Sequence, residues 1–429
     1  MATAVFQVDI QLFKRKALQW AQQFEEVCFF QSNGYADEYS QIDSLLAVQA
    51  TACFTAFEGQ VFQDLEKFRA KHPHCWMPGF LSYDLKNEIE ELTTSSPNRL
   101  GFPEAYFFIP AVIISFRRDQ VEIQGLQPET IYNSIFSTEF PTEPSLSSLN
   151  IEVRKRMSKE AYIEAFNQMI QHIQQGDIYE VNLCQEFYAE KVSLSPLAVY
   201  ERLNKVSPTP FSCFFKISDK YILSASPERF LAKREQTLIS QPIKGTAPRG
   251  KTTLEDKHII DALKNNPKEI AENVMIVDLV RNDLTRSAVE GSVKADRRLE
   301  VHTFEQVHQL ISTVTCKKNP TISDITAIRQ TFPAGSMTGA PKISAMKLCD
   351  CYENSRRGVY AGTVGYFDPL GNFDFNVVIR SLLYNSTNRY LSFHTGGAIT
   401  IDADAEKEYA ECLLKASAIL KTLDAKLLE

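Results

Sequence analysis

Two residues in one short stretch could carry out acid and amine chemistry together. Ser226-Pro227-Glu228-Arg229-Phe230 opens the stretch and Gln241-Pro242-Ile243-Lys244-Gly245-Thr246 closes it. Glu228 and Lys244 stand sixteen positions apart. Between them, Arg229 to Ala232 and Thr237 to Ser240 read as strands around the polar turn Lys233-Arg234-Glu235-Gln236. A hairpin-like return brings the carboxyl and the amine towards one pocket. A buried glutamate with a raised pKa is an acid, and a lysine kept neutral by burial or a nearby cation is a nucleophile or base. A surface salt bridge is the plainer reading of an arbitrary Glu/Lys pair.

Other residues point to an anionic substrate. Glu272 lies in Ala271-Glu272-Asn273, and Glu408 and Glu411 share one face of the last helix. One carboxylate from each of two distant helices suits Mg²⁺, which takes one or two protein carboxylates and leaves its other positions to water and substrate. Solvated helical charge is the alternative, with Lys415 as an i, i+4 partner for Glu411. Gly335-Ser336-Met337-Thr338-Gly339 reads as a small-residue loop opening the helix at Pro341, where exposed N–H groups favour an anion. Gly396-Gly397, after a strand, allows a close backbone approach. Arg380 lies among Val377, Val378, Ile379 and Leu382 in a predicted strand, and a carboxylate fits such an arginine bidentately.

A rival lies in the same region. Gly245-Thr246-Ala247-Pro248-Arg249-Gly250-Lys251-Thr252 matches the phosphate-loop pattern, and Val274 to Asp278 resembles its partner strand. Pro248 removes a donor from a loop that must donate, Pro242 interrupts the strand leading in, and Val274, Val277 and Leu284 make a helical stripe. The histidines show no zinc spacing.

These candidates must be held by elements that the pattern also predicts. Ser158 caps a helix with Tyr162, Ala165, Phe166, Met169, Ile170 and Ile173 on one stripe, closed by Gly176. Strands are predicted at 178–188, 221–225, 359–367, 374–384 and 390–395, and helices at 253–266, 268–284 and the C-terminal end. Val112 to Gln124 reads as two strands around Arg117-Arg118-Asp119. Residues 126–150, rich in Ser, Thr, Pro and Glu, are the linker candidate between an N-terminal part, 1–150, and a catalytic region, 151–429. The expected fold is α+β: two interlocked halves with antiparallel β-sheets in a sandwich-like core, helices outside. With 429 residues, 44% hydrophobic and 23% charged, the chain is an ordinary globular sequence. A net charge of −7 without a basic block argues against nucleic-acid or anionic-membrane partners. Nine scattered cysteines, an N-terminus unlike a signal peptide and no apolar run near about 18 residues lead us to expect a cytoplasmic protein.

In their order along the chain, these segments resemble the chorismate-utilising enzymes. The likeness rests on Gly176-Asp177-Ile178-Tyr179, Ser226 to Phe230, Pro242-Ile243-Lys244-Gly245-Thr246, Ala271-Glu272-Asn273, Gly335 to Lys342 and Glu408-Tyr409-Ala410-Glu411, and it covers about 158–423. Lys244 and Val181-Asn182-Leu183 resemble the aminodeoxychorismate branch; anthranilate synthases carry alanine in place of Lys244. The resemblance implies Mg²⁺ held by Glu272 and Glu411 on the ring carboxylate of chorismate, with Arg380 and Tyr360 on the enolpyruvyl carboxylate. Gly245, Thr246, Gly335, Ser336, Gly396 and Gly397 then shape the ring site. It further implies attack by Lys244 at carbon two, protonation of the departing carbon-four hydroxyl by Glu228, and ammonia from a separate glutamine amidotransferase subunit. There are departures: the family usually has glutamine where Glu180 stands, and its histidine before Leu-Val-Ser aligns with Gln309, with His308 one place earlier. Phe30-Gln31-Ser32 matches the family's tryptophan motif only faintly.

Overall fold

In the computed structural model, residues 2–140, 151–305 and 307–428 are described. Two antiparallel layers face each other. In the first, Ser44–Ala56 pairs with Ala105–Arg117 and with Glu26–Gln31; Glu26–Gln31 then pairs with Phe211–Ile217. The layer continues through Lys220–Ser226, Ser381–Asn385 and Tyr390–Ile399 to Glu180–Ala189. In the second, Met77–Leu81 pairs with Thr363–Phe367, followed by Phe373–Asn376, Arg229–Arg234, Thr237–Gln241 and Val307–Lys317. The two parts of the chain are thus woven together, because strands from the first 120 residues lie beside strands from beyond residue 150.

The period-two alternation of the strands makes the core. Cys28, Phe30, Cys213, Phe215 and Ile222 face the second layer, while Val27, Phe29, Phe214 and Leu223 face outward into a second cluster. Phe80 meets Phe215 edge-on across the interior at 5.7 Å. On the outer face the helices Ile10–Ala21, Pro196–Val206 and Ala405–Leu423 cover the outward set. The helix Lys159–Gln175 has the predicted bounds: Ser158 accepts from the Ala161 amide, and Gly176 closes it at φ 84°.

The predicted strand over 374–384 is broken, as is the start of the one over 359–367. Phe373–Asn376 belongs to the second layer and Ser381–Asn385 to the first, so 377–380 cross between layers. The Val377 and Val378 amides donate to Glu228 and Gly362 instead of to a ladder. In the same way Pro227-Glu228 carries the chain from Lys220–Ser226 to Arg229–Arg234. The linker candidate holds a helix, Pro128–Phe136, in its first half; 141–150 lie outside the described residues. Among the described residues no helix is long and apolar enough to cross a membrane.

Candidate active site

Glu228 and Lys244 flank the open end of the predicted hairpin, whose strands pair with Arg229 opposite Gln241. Both side chains are buried. Glu228 sits at the layer crossing, its carbonyl accepting from Val377 and its amide donating to Ser226 Oγ at 3.3 Å. Burial pushes its carboxyl up to about 7, against the opposing pull of Ser336, Lys244 and Arg380. Lys244 lies in Ile243–Pro248, where the register against Val307–Lys317 slips between Ile243 and Thr246. Gly245 takes up that slip at φ +91°; a Cβ there would lie 2.9 Å from Glu269 Oε2. The expected neutral lysine is corrected here. Burial lowers the Lys244 pKa, but Glu180, Glu272 and Glu228 outweigh it and the net shift is upward. Glu180 Oε1 lies 2.5 Å from Lys244 Nζ, and neither side chain has appreciable solvent access.

Acidic groups line the adjoining wall. Glu272, in the helix Pro267–Thr285, has its Oε1 buried without a hydrogen-bond partner. Burial raises it to about 6; Lys244 opposes the rise and Glu180 adds to it. Lys268 Nζ stands 3.7 Å from both Glu272 Oε1 and Glu408 Oε1. Glu411, with its side chain 47% exposed, pairs with Lys415 at 2.8 Å. Lys415 also donates to the Gly396 carbonyl at 2.8 Å. Gly396 and Gly397 are required by proximity: a Cβ on Gly397 would lie 2.5 Å from Glu408 Oε2, and one on Gly396 would lie 2.2 Å from the Leu183 carbonyl. Among the described residues no group of three or more His, Cys, Asp or Glu side chains could cage a metal. A two-carboxylate site asks for less.

The groups expected to hold carboxylates lie nearby. Arg380 stands at the layer crossing with φ 50°, half-buried; its carbonyl accepts from the Ala225 amide at 3.2 Å, and its guanidinium makes no hydrogen bond or ion pair among the described residues. Burial lowers its pKa, and only Glu228 opposes. Tyr360 stacks on His394 at 4.8 Å and sets its hydroxyl 3.6 Å from Cys184 Sγ. Thr246 Oγ1 accepts from Gln309 Nε2 at 3.4 Å, while Gln309 Oε1 is buried without a partner. The loop at 335–337 differs from the expectation. It forms a short 3₁₀ turn, and Gly339-Ala340 then pairs with Val181-Glu180 before the helix Lys342–Tyr352 begins. It is therefore not the helix's N-terminus; Ser336 instead presents a buried hydroxyl that acts on the Glu228 carboxyl.

A buried arginine fixes this loop to the sheet. Arg357 donates to the Met337 carbonyl at 2.6 Å, to the Asn182 carbonyl at 2.8 Å and to both oxygens of Glu353. Glu353 in turn accepts from the Cys184 amide at 2.9 Å. Arg357→Ala strands Glu353 as an unpaired buried charge and is expected to destabilise the fold by about 3–5 kcal/mol in urea unfolding.

The phosphate-loop rival does not survive the geometry. The Gly250 amide donates to Asp256 at 2.6 Å and the Lys251 amide to Glu255 at 2.7 Å, so carboxylates of the following helix occupy the donors a phosphate needs. Val274 to Asp278 is helical. Pattern reading offers Glu408 only beside Glu411 as a metal carboxylate, and it does not place Glu180 or Lys268 among the site residues. The departure at Glu180 was a signal for it, since an acid in a buried strand position needs a cation nearby.

An interlaced α+β sandwich with a buried acid, amine and carboxylate cluster at the layer crossings defines the class, and the chain belongs to the chorismate binding enzyme family, whose profile matches residues 23–421. It is 34% identical to the aminodeoxychorismate synthase component 1 of Escherichia coli (strain K12), covering 81% of this chain and 76% of that protein. It is 42% identical to an aminodeoxychorismate synthase of Streptomyces griseus over 66% of this chain, which spans only 39% of that longer protein. The crystal structure of anthranilate synthase component I from Streptococcus pneumoniae shares the fold, with TM-score 0.77 and 24% identity over 90% of this chain and 95% of that one.

Proposed function

We propose that this chain is an aminodeoxychorismate synthase component I, aminating chorismate at carbon four with ammonia from a separate glutamine amidotransferase subunit in the cytoplasm. The observation that carries the reading is a lysine, Lys244, buried in the same site as Glu228, a carboxyl protonated up to about pH 7. The names of the Escherichia coli and Streptomyces griseus relatives agree with it. Lys244 forms a bond to ring carbon two, the diene electrons move along the ring, and the carbon–oxygen bond at carbon four breaks as Glu228 protonates the leaving hydroxyl. Ammonia then bonds to carbon four, the electrons return, and the bond between carbon two and Lys244 breaks. The product, 4-amino-4-deoxychorismate, is the precursor of 4-aminobenzoate and folate. Arg380, whose guanidinium has no ion pair among the described residues, and Tyr360 hold the enolpyruvyl carboxylate.

The acidic wall fits Mg²⁺. Glu272 Oε1 is buried without a hydrogen bond, and the Lys268 ammonium already stands between Glu272 and Glu408 as a stand-in cation. Glu272 and Glu411 would hold the ion, with Glu408 beside them; bound there, it supplies a hard positive charge for the ring carboxylate. Glu272→Gln is expected to weaken Mg²⁺ binding in calorimetry by at least about tenfold, the scale on which even outer-shell partners act. Affinity unchanged in that variant would take Glu272 out of the metal site.

Product identity tests the whole reading. With chorismate, Mg²⁺ and an ammonium salt, the expected product becomes 4-aminobenzoate only after a lyase is added. Direct release of pyruvate with fluorescent anthranilate would overturn the assignment in favour of anthranilate synthesis.

A further inference from the structure

An amine attacks only when uncharged, yet Lys244 is held in a buried ion pair with Glu180. Glu180 opens the strand Glu180–Ala189 and is fixed there. Its backbone pairs with Ala340, and the neighbouring Tyr179 amide donates to the Ala340 carbonyl at 2.7 Å. Gly339 approaches so closely that a Cβ on it would lie 2.2 Å from the Glu180 carbonyl. Solvent has little access to the pair, so the ammonium proton needs a receiver inside the site. Glu228 cannot serve, since it must begin the reaction protonated. Glu272 makes no hydrogen bond to Lys244; among the described residues the one side-chain acceptor bonded to Nζ is Glu180 Oε1.

We propose that Glu180 is the proton acceptor that frees Lys244, taking its proton as the amine attacks carbon two and returning it after the amine is expelled. The proposal rests on the reading of Lys244 as nucleophile. The atoms balance over one turnover. Glu180 takes one proton, and the free amine bonds to carbon two and becomes a secondary ammonium. Glu228 gives its proton to the departing hydroxyl, which leaves as water. Ammonia adds at carbon four as an ammonium and the electron pair of the broken bond returns to Lys244. The new ammonium then gives a proton to Glu228, and Glu180 gives its proton back to Lys244. No outside acid or base is consumed.

This arrangement has a signature in pH. Carboxylate with ammonium and carboxylic acid with amine hold the same number of protons. The reactive form is therefore a fixed fraction of the pair between its two macroscopic pKa values. The charged groups facing the pair are Glu228 from the layer crossing, Glu269 and Glu272 from the helix Pro267–Thr285, and Glu408 and Glu411 from the C-terminal helix. Arg380 acts on the pair through Glu228, and Lys268 through the helical acids. All of these remain when Glu180 is replaced. With glutamine, the isostere and the family's usual residue, the free amine must instead be supplied by equilibrium with the medium.

The test is kcat against pH for wild type, Glu180→Gln and Glu180→Asp, with Mg²⁺ and one fixed ammonium concentration. Free ammonia and the titration of Glu228 then cancel in each ratio to wild type. The Glu180→Gln ratio is expected to rise about tenfold per pH unit until the amine is fully deprotonated, because one proton must be lost. The Glu180→Asp ratio is expected to stay flat within about twofold, since a carboxylate still accompanies the lysine. A flat Glu180→Gln ratio, with Lys244→Ala inactive, would overturn the proposal and leave the nucleophile in place. A fully active Lys244→Ala would remove the nucleophile, and the proposal with it.

Discussion

Lys244→Ala is expected to lower carbon-four amination by at least about 10³-fold in kcat, as removal of a nucleophile does elsewhere. Chorismate affinity, measured by equilibrium titration, is expected to change only a fewfold, because Arg380, Tyr360 and the acidic wall remain. The variant also has a structural consequence that must be separated from the chemical one. It leaves Glu180 in a buried strand position without its ion-pair partner, at a cost of about 3–5 kcal/mol. The double variant Lys244→Ala with Glu180→Gln removes the stranded charge, so it is expected to regain most of that stability while staying inactive at carbon four. A double variant that recovered amination along with stability would show that Lys244 serves the fold alone. Alanine is also the residue that anthranilate synthases carry at this position, so the single variant is to be assayed for fluorescent anthranilate as well.

What could be read from the chain beforehand follows from the range of the forces involved. The helix at 159–175 was legible because its stripe, its Ser158 cap and its Gly176 terminator are all local. The 229–241 hairpin was legible for the same reason, and with it the meeting of Glu228 and Lys244. The break at 377–380 was not. An apolar run containing Val377, Val378, Ile379 and Leu382 looks the same whether it stays in one layer or crosses between two. Only the distant strands Lys220–Ser226 and Arg229–Arg234, which claim its two ends, decide the matter. The charge state of Lys244 was hidden likewise. Burial alone argues for a neutral amine, and the opposing carboxylate comes from a residue 64 positions away. The loop at 335–337 reads as a helix start because Gly339-Ala340, which pairs with Val181-Glu180, is too short to show a strand pattern.

Glu228→Gln is expected to lower kcat by about 10²- to 10⁴-fold, the usual contribution of a positioned general acid. Its pH dependence separates loss of an acid from loss of a contact. With the Glu228 carboxyl raised from 4.5 to about 7, it is protonated and able to donate below that point. Wild-type kcat, corrected for free ammonia, is therefore expected to fall as pH rises through about 7, and the variant is expected to lack that descending limb. Stability moves in the same direction. Because the folded-state pKa is raised, the folded protein binds more protons than the unfolded chain between 4.5 and about 7. The stabilisation tied to the protonated form is complete below 4.5 and is lost as pH climbs to about 7. The loss is on the order of 3 kcal/mol. Glutamine cannot ionise, so Glu228→Gln is expected to be the more stable protein at pH 8 in urea unfolding, and the less active one at pH 6. An acid kept protonated by burial lowers folding stability where it serves catalysis, and a variant that lost activity without gaining stability at high pH would place the proton elsewhere.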